Sequence, residues 1–402
     1  SKLTYEIAST YRLGEVNLPL NYIELGNEFY LNDDQYKEVF PSVLDYLNKS
    51  REWIQDYRSI QIPQSTNVKF AVVGSDYGAE VPGRRKLWLK TLLDNISPSD
   101  GIDAVTVHDY IGTGLSDLTG NCLTVGSNQL KTYLNKAFKD GQTLRTNTFA
   151  DIQAANQGHL SLEPLEIWLT EFNNLDDENS YIGTWPHGLF NAAMALQYLE
   201  TPEVSKVITH TMLSDGVFGN IFESTAGFDN IACHGTLPIG SYTTRKGEFT
   251  ALGNALNQIA LALHNATNAK KIEFTPQAGS NIPSITPGSP YPVLYGWYFE
   301  NTPGERQMII LNLDFNIAQQ YNLTIPTGIF TGTVNYDQIF TNDFQQAILG
   351  NATSTGGPNE IQLLTNTSAG NSVSLSAGSI TRIYQEQAPL QLKLTDNEIC
   401  VG

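Results

Sequence analysis

The sequence has few cysteines, few basic residues and no long apolar run. Its 402 residues include three cysteines, Cys122, Cys233 and Cys400, which have neither zinc-ligand spacing nor the density of a disulfide framework. No apolar stretch approaches the roughly 20 residues that cross a membrane as a helix. No phosphate-cradling glycine-rich loop follows a strand-like segment, and no His-Glu cluster has metal-ligand spacing. We therefore expect no metal, no other cofactor and no membrane partner.

The charge balance restricts the partners further. Lys and Arg number 23 against 41 Asp and Glu, which gives a net charge of -18 and a pI near 4.6. Nucleic acids and anionic membranes bind basic surfaces, so an acidic chain is disfavoured as their partner. A neutral partner such as a sugar polymer carries no such penalty. With 41% hydrophobic and only 16% charged residues, the composition is that of a folded protein.

The first two thirds of the chain alternate strand-like and helix-like segments. Short apolar runs predict buried parallel strands, and longer segments with helical spacing follow them. The strands are predicted at 20–25, 68–73, 104–108, 166–170 and 206–210, and the helices at 36–57, 84–95, 129–139, 188–199 and 249–264. This rhythm predicts an α/β fold of the (β/α)8 TIM-barrel type.

The last third has a different pattern. A stretch rich in Pro, Gly and Ser around 275–290 predicts a linker or loop. Beyond it, short alternating strands separated by turn residues predict an all-β sandwich. These strands are predicted at 293–298, 308–313, 319–325, 332–338, 360–364, 372–375 and 380–384. We therefore expect a catalytic domain at 1–270, a linker at 271–289, a β-sandwich at 290–386 and a tail at 387–402.

Two glutamates stand where predicted strands end. Glu28 follows the first strand in the segment Ile-Glu-Leu-Gly-Asn-Glu, and Glu171 follows the fourth in Ile-Trp-Leu-Thr-Glu. In β/α barrels the carboxyl ends of the strands converge on one mouth, where the chemistry takes place. Two carboxylates at such a mouth suit glycoside hydrolysis, in which one acts as acid and base and the other attacks the anomeric carbon.

These residues resemble the motifs of clan A glycoside hydrolases, most closely the α-L-arabinofuranosidases that join a barrel to a C-terminal β-sandwich. Asn27-Glu28 is similar to the fourth-strand motif of that clan, and Thr170-Glu171 to its seventh-strand motif. His108 and Tyr110 lie between them in the segment that would be strand six.

The resemblance implies a retaining mechanism with Glu28 as acid/base and Glu171 as nucleophile. It further implies a carbohydrate substrate, drawn from a plant or algal polysaccharide, and a secreted or periplasmic protein. The substrate-binding residues that we expect are Asn27, His108, Tyr110, Asn173, Trp185 and His210.

The numbering of the strands departs from the clan. If Glu28 ends strand four, three β/α units should precede it, yet only about 20 residues do so. We therefore expect that this chain holds strands four to eight and that the segment before them is absent.

Two other functions fit the same features. One is an endo-acting glucanase, xylanase or agarase of the same clan. The other is a carbohydrate-binding protein without turnover, which would not need its two glutamates to lie close together. The sugar and its linkage, the pairing of the cysteines and the oligomeric state remain open at this stage.

Overall fold

The computed structural model describes most of the chain. The described residues are 21–59, 68–76, 83–112, 128–174, 182–215, 219–224, 247–301, 305–316, 320–326, 328–330, 334–342, 344, 361–368 and 372–385. The three cysteines and the predicted tail at 387–402 lie outside them.

The first part of the fold is a parallel sheet of five strands. They are β1 (Tyr22–Glu24), β2 (Lys69–Val73), β3 (Ala104–Ile111), β4 (Glu166–Asn174) and β5 (Val204–Val207). They lie in the order of the sequence, and each pairs in parallel with the next. This confirms the five strands that the apolar runs predict.

Three of these strands end three or more residues from the predicted position. β3 continues to Ile111 instead of ending at residue 108. β4 continues to Asn174, so Glu171 lies inside the strand instead of after it. β5 ends at Val207, so His210 lies in the following loop. The apolar run at 206–210 therefore mixes the end of a strand with loop residues, which an apolar pattern alone does not separate.

Helices follow the strands and cover one face of the sheet. They are α1 (Asp34–Val39), α2 (Val43–Ser59), α3 (Arg84–Asn95), α4 (Asn128–Leu144), α5 (Ala150–Gln157), α6 (Trp185–Tyr198) and α7 (Ala251–Leu263). A π-helical segment, Arg145–Phe149, joins α4 to α5. Four predicted helices correspond to α3, α4, α6 and α7, and α4 with its continuation runs well beyond the predicted end at residue 139.

The helix predicted at 36–57 is divided in two. Pro41 lacks a backbone N–H and cannot continue a helix through this point. Ser42 then caps α2: its hydroxyl accepts a hydrogen bond from the Asp45 amide at 3.2 Å, and the Asp45 carboxylate accepts from the Ser42 amide at 3.0 Å. The break at Pro41 is thus a helix end followed directly by a new N-cap.

The parallel sheet has two different faces. Alternate side chains such as Val72, Val105 and Leu169 are buried against the helices in the main apolar core. Ala71, Ala104 and Trp168 form a separate small cluster on the other face.

The second part of the fold is antiparallel. Its strands are β8 (Ala266–Lys271), β9 (Leu294–Asn301), β10 (Glu305–Asn312), β11 (Tyr321–Thr324), β12 (Val334–Phe340), β13 (Gln362–Ser368), β14 (Ser372–Leu375) and β15 (Ser379–Tyr384). Six of them form a sheet in the order β13-β12-β15-β10-β9-β8, and β11 pairs with β14 in a two-stranded sheet. All seven strands predicted beyond residue 290 are present. The Gln338 side chain joins the two sheets: its amide N–H donates to the Ser374 carbonyl, and its oxygen accepts from the Ser376 backbone N–H.

β8 is a strand that the sequence pattern does not predict. Its sequence, Ala-Thr-Asn-Ala-Lys-Lys, has no apolar alternation, because it is an exposed edge strand. Its conformation comes from antiparallel pairing with β9. The antiparallel sheet therefore begins before the segment predicted as a linker.

The two parts share one continuous apolar core. Polar contacts add to it: the Trp185 indole N–H donates to the Gly378 carbonyl, and the Tyr295 hydroxyl donates to Glu200 at 2.7 Å. A separate short parallel pair, β6 (Leu213–Asp215) and β7 (Ile221–Ser224), lies between β5 and α7 in the chain.

Among the helices of the described residues, none is both long and apolar enough to cross a membrane.

Candidate active site

The loop after β1 holds Glu28 in an unusual backbone conformation. Glu28 has φ +48°, a left-handed value that non-glycine residues seldom adopt and that is common at functional sites. Two residues earlier, Gly26 has φ +116°, and a Cβ there would lie 2.0 Å from the Phe29 ring. The glycine therefore permits a tight turn that brings Glu28 back over the end of the sheet.

A β-bulge determines how β4 presents its side chains. Val107 pairs with Leu169, but the next residue, His108, pairs with Glu171, so Thr170 is the extra residue. Consecutive strand residues normally face opposite sides of a sheet, and a bulge changes this alternation. Here both Thr170 and Glu171 reach the same imidazole, that of His108.

His108 lies between the two glutamates. Its Nδ1 is 2.9 Å from Glu28 Oε1 and 3.5 Å from Glu171 Oε2. One carboxylate oxygen of each glutamate lies within 4.8 Å of the other. The His108 side chain is 2% exposed, whereas those of Glu28 and Glu171 are about a quarter exposed. The structure thus places both predicted catalytic glutamates and His108 in one cluster that opens to solvent through its carboxylates.

Each glutamate also accepts a hydrogen bond from a tyrosine. The Tyr30 hydroxyl donates to Glu28 Oε1 at 3.0 Å, and the Tyr110 hydroxyl donates to Glu171 Oε2 at 2.6 Å. Burial, together with the neighbouring carboxylates, raises the pKa of both tyrosines above the ordinary value. Both phenols therefore keep their protons and act as donors at neutral pH.

The charges of the cluster favour a proton on His108. The hydrogen bond from His108 lowers the pKa of Glu28, against the opposing effect of burial, and the hydrogen bond from Tyr30 and the charge of Arg85 lower it further. Burial alone would lower the pKa of His108, but its hydrogen bond to Glu28 and the surrounding carboxylates raise it. Both shifts favour the charged pair, a protonated His108 beside an ionised Glu28.

Three residues in contact with the cluster were not predicted as site residues: Tyr30, Glu24 and Thr170. The Thr170 hydroxyl lies 3.2 Å from His108 Nε2 and donates to Glu24 Oε1 at 3.3 Å. A signal for Glu24 was present in the sequence: it stands between the apolar Ile23 and Leu25 at the end of β1 and therefore faces the side of the sheet away from the helices. Thr170 depends on the bulge and has no comparable signal.

Arg85 was also missed. It is the second residue of α3, and nothing in its local sequence links it to Glu28. In the structure its guanidinium lies 5.1 Å from the centre of the Tyr30 ring and donates to Asp76. Arg85 therefore contacts Tyr30, which in turn donates its hydrogen bond to Glu28.

Besides His108 and Tyr110, two more of the predicted substrate-binding residues lie at the cluster. Asn27 is exposed and directly precedes Glu28. His210 is exposed, and its ring meets the Tyr110 ring edge-on with the centroids 5.9 Å apart. Both side chains are therefore placed where a substrate could reach them.

Two further predictions require correction. Asn173 is completely buried: its amide donates to the His210 carbonyl at 2.6 Å, and its oxygen accepts from His187 at 2.9 Å. Trp185 is also completely buried, with its indole N–H bound to Gly378 in the second part of the fold. Neither side chain can contact a sugar. Asn173 holds the loop that carries His210, and Trp185 holds the two parts of the fold together.

Among the described residues, one group has a geometry that could suit a metal ion: Glu28, His108 and Glu171. Their potential ligand atoms lie within 4.8 Å of one another. In this arrangement, however, the same carboxylate oxygens already accept hydrogen bonds from the two tyrosines and from His108. Hydrogen bonds within the protein therefore already occupy the carboxylate oxygens that would bind a metal ion.

Comparison with known proteins gives a consistent picture of the fold. No protein-family model and no curated protein matches the chain. Solved structures do match: a family 51 arabinofuranosidase from Xanthomonas axonopodis pv. citri has 13% identity and a TM-score of 0.57, covering 96% of this chain and 70% of that chain. The thermostable family 51 α-L-arabinofuranosidase from Thermotoga petrophila has 13% identity and a TM-score of 0.59, covering 95% and 69%.

A family 44 endoglucanase from Clostridium acetobutylium is also similar, with 12% identity and a TM-score of 0.51 over 90% of this chain and 66% of that chain. The chain thus spans roughly two thirds of the length of these enzymes. It shares its fold with these glycoside hydrolases, which confirms at the level of the fold the resemblance seen in the sequence.

Proposed function

We propose that this protein is a retaining glycoside hydrolase in which Glu171 is the nucleophile and Glu28 the acid/base. The observation that supports this most directly is the pair of glutamates, which have oxygens within 4.8 Å of each other and both lie next to Nδ1 of His108. Retaining enzymes hold their two carboxyl groups about 5–5.5 Å apart, whereas inverting enzymes need about 6.5–9.5 Å to admit a water. The short separation favours the retaining mechanism.

In the first step Glu171 attacks the anomeric carbon while the leaving oxygen receives a proton from Glu28. The proton starts on His108 and reaches Glu28 through the 2.9 Å hydrogen bond between them. A covalent glycosyl ester on Glu171 and a neutral His108 result. The hydrogen bond from Tyr110 holds the attacking carboxylate in place before the reaction.

In the second step water replaces Glu171 at the anomeric carbon. Glu28 is now an ionised carboxylate and accepts a proton from that water, and the proton returns to His108. In the free site the negative charge of Glu171 raises the pKa of His108. Esterification of Glu171 removes that charge. The neutral imidazole of the intermediate is thus consistent with the loss of this charge.

The substrate that we propose is a carbohydrate of plant or algal origin, and the first candidate linkage is an α-L-arabinofuranoside. Several of the similar structures are named as arabinofuranosidases. An endo-acting glucanase is the second candidate, because a family 44 endoglucanase and a family 44 xyloglucanase share the fold. We further propose that the protein is secreted or periplasmic, where such polymers are met.

A carbohydrate-binding protein without turnover explains the cluster less well. Such a protein has no need for two carboxylates held together around a buried imidazole. It would also be expected to present exposed aromatic platforms, whereas the predicted platform Trp185 is buried.

The direct test is a hydrolysis screen on aryl glycosides, with the arabinofuranoside first, followed by xyloglucan and cellulose oligomers. We expect Glu28→Gln to reduce kcat by about 10²–10⁴-fold, the usual contribution of a general acid, and Glu171→Gln by on the order of 10⁴-fold or more. Azide should restore turnover to Glu171→Ala by taking the place of the nucleophile.

Glu166→Gln is a matched control, since Glu166 lies on the same strand but pairs with Lys69 away from the cluster. It should keep the kcat of the unaltered protein. If both active-site variants retain full turnover, or if no glycoside is cleaved, the assignment is wrong and the binding protein becomes the better explanation.

A further inference from the structure

His108 lies at the centre of three carboxylates. Its Nδ1 faces Glu28 Oε1 at 2.9 Å and Glu171 Oε2 at 3.5 Å. Its Nε2 faces the Thr170 hydroxyl at 3.2 Å and Glu24 Oε1 at 3.9 Å. Glu28 and Glu171 both lie on the Nδ1 side of the ring, and Glu24 lies on the Nε2 side.

The hydrogen-bond directions determine the protonation of the ring. The Thr170 hydroxyl has one proton, and it donates that proton to Glu24. Towards His108 it can therefore only accept, so Nε2 must carry a proton. Nδ1 faces only carboxylate oxygens, which accept a proton from it when they are ionised. With Glu24 and Glu28 both ionised, the arrangement satisfies every group only when His108 is an imidazolium.

The charge state of Glu24 can reverse this arrangement. Glu24 is packed against Thr106, Thr170 and His108, with Glu171 the nearby like charge, and burial raises its pKa. A protonated Glu24 would donate to Thr170, and Thr170 would then donate to Nε2. His108 would have to give up its Nε2 proton to accept that bond and would be neutral.

We propose that Glu24 and Thr170 are positioning residues that keep the second proton on His108, and that this proton supplies the acid/base Glu28. The second half rests on the proposed function. In the glycosylation step the Nδ1–H bond breaks and an O–H bond forms on Glu28, which delivers that proton to the departing oxygen. In the hydrolysis step the proton that Glu28 takes from water returns to Nδ1, so the cycle ends with the imidazolium restored.

The first half is tested without any substrate, by following the imidazole resonances of the full chain by NMR across a pH titration. The chain has six histidines, and the His108 signals are assigned by their loss in His108→Gln. We expect Glu24→Gln and Thr170→Val to lower the pKa of His108 by about one unit or more, since each removes a partner of the protonated ring. Thr170→Ser keeps the hydroxyl and should retain the original pKa.

Glu166→Gln removes a carboxylate from the same sheet that pairs with Lys69 instead of His108, and it should leave the titration unchanged. A His108 pKa that is the same in Glu24→Gln, Thr170→Val and the unaltered protein would overturn the proposal. If Glu24→Gln lowers the His108 pKa and Glu166→Gln lowers it equally, the proposal is also overturned, because the effect would then be one of net charge.

The second half is tested by the pH profile of kcat/KM on the best substrate of the screen. The alkaline limb should move to lower pH by the same amount as the His108 pKa in Glu24→Gln and Thr170→Val, while Thr170→Ser keeps the original limb. A His108 shift without any hydrolysis would support the role of Glu24 and contradict the proposed function. Hydrolysis with an unmoved alkaline limb in both variants would contradict the supply of the proton from His108.

Discussion

The hydroxyl of Tyr110 donates a hydrogen bond to Glu171 Oε2 across the β3–β4 pair, at 2.6 Å. The two residues are not directly opposite each other in the register, since Glu171 pairs with His108 and Tyr110 with Asn173. The bond therefore runs diagonally along the sheet. It orients the carboxylate that we propose as the nucleophile.

Removing this hydroxyl should slow the reaction without unfolding the protein. In Tyr110→Phe the hydrogen bond to a charged group is lost, which is worth about 1.5–3 kcal/mol. We expect kcat to fall by about 10–100-fold, measured on the substrate identified by the screen. Tyr321→Phe is the matched control, because Tyr321 makes the same kind of bond to Asp314 in the antiparallel part. Equal effects of the two substitutions on kcat would contradict the role given to Tyr110.

Asp109 points away from the cluster and should limit stability at higher pH. Its side chain is buried and accepts a hydrogen bond from Tyr198 at 2.6 Å. Burial raises its pKa from 3.8 to about 7. The folded state therefore binds the proton more tightly than the unfolded state between these values, and stability falls as the pH rises from about 4 to 7.

Asp109→Asn removes this loss while keeping an acceptor for the Tyr198 hydroxyl. The variant should be more stable than the unaltered protein at pH 8, by on the order of 2 kcal/mol, and the gain should shrink towards pH 4. Urea unfolding at several pH values measures this. A gain that is equal at pH 4 and pH 8 would show that the Asp109 charge is not its cause.

His187 should have the opposite effect, at low pH. Its Nδ1 accepts from the Gly183 amide at 3.3 Å and its Nε2 donates to Asn173 at 2.9 Å, which requires the neutral ring. Burial lowers its pKa from 6.5 to about 3. The unfolded state therefore takes up a proton first, and stability is lost as the pH falls from 6.5 towards 3.

His187→Gln should remove one proton from the pH dependence of unfolding between pH 6 and pH 4. The variant will be less stable at pH 7, by about 1–3 kcal/mol, because buried partners lose their hydrogen bonds. Its stability should nevertheless fall less steeply on acidification than that of the unaltered protein. Urea unfolding across this range gives the slope, and an unchanged slope would contradict the prediction.

A substitution at Trp185 tests whether this side chain packs in the core or contacts the sugar. In Trp185→Phe the indole bond to Gly378 is lost and a small cavity is left in a fully buried position. We expect a loss of stability of about 2–4 kcal/mol, seen as a lower Tm, with KM unchanged. A raised KM at an unchanged Tm would restore the interpretation of Trp185 as a substrate contact.

Much of the fold follows from local pattern. Continuous apolar runs predicted all five parallel strands, since such runs are typical of the strands of a parallel sheet. The sequence pattern missed β8, whose residues are polar and exposed and which pairs only because β9 presents an open edge. It also missed the break at Pro41, where apolar spacing continues across a helix end.

The sequence by itself determined the order of the elements and placed Glu28 just beyond β1 and Glu171 in the carboxyl-terminal half of β4, since the change from apolar to polar residues marks where a buried strand approaches its end. Only the tertiary structure decided which neighbouring side chains share their site. Thr170 reaches His108 because a bulge re-aims β4, and that depends on the pairing of β3 with β4. Asn173, two residues beyond Glu171, is buried because the loop carrying His210 packs over it. Contacts between residues far apart in the chain set both outcomes, and no local pattern records such contacts.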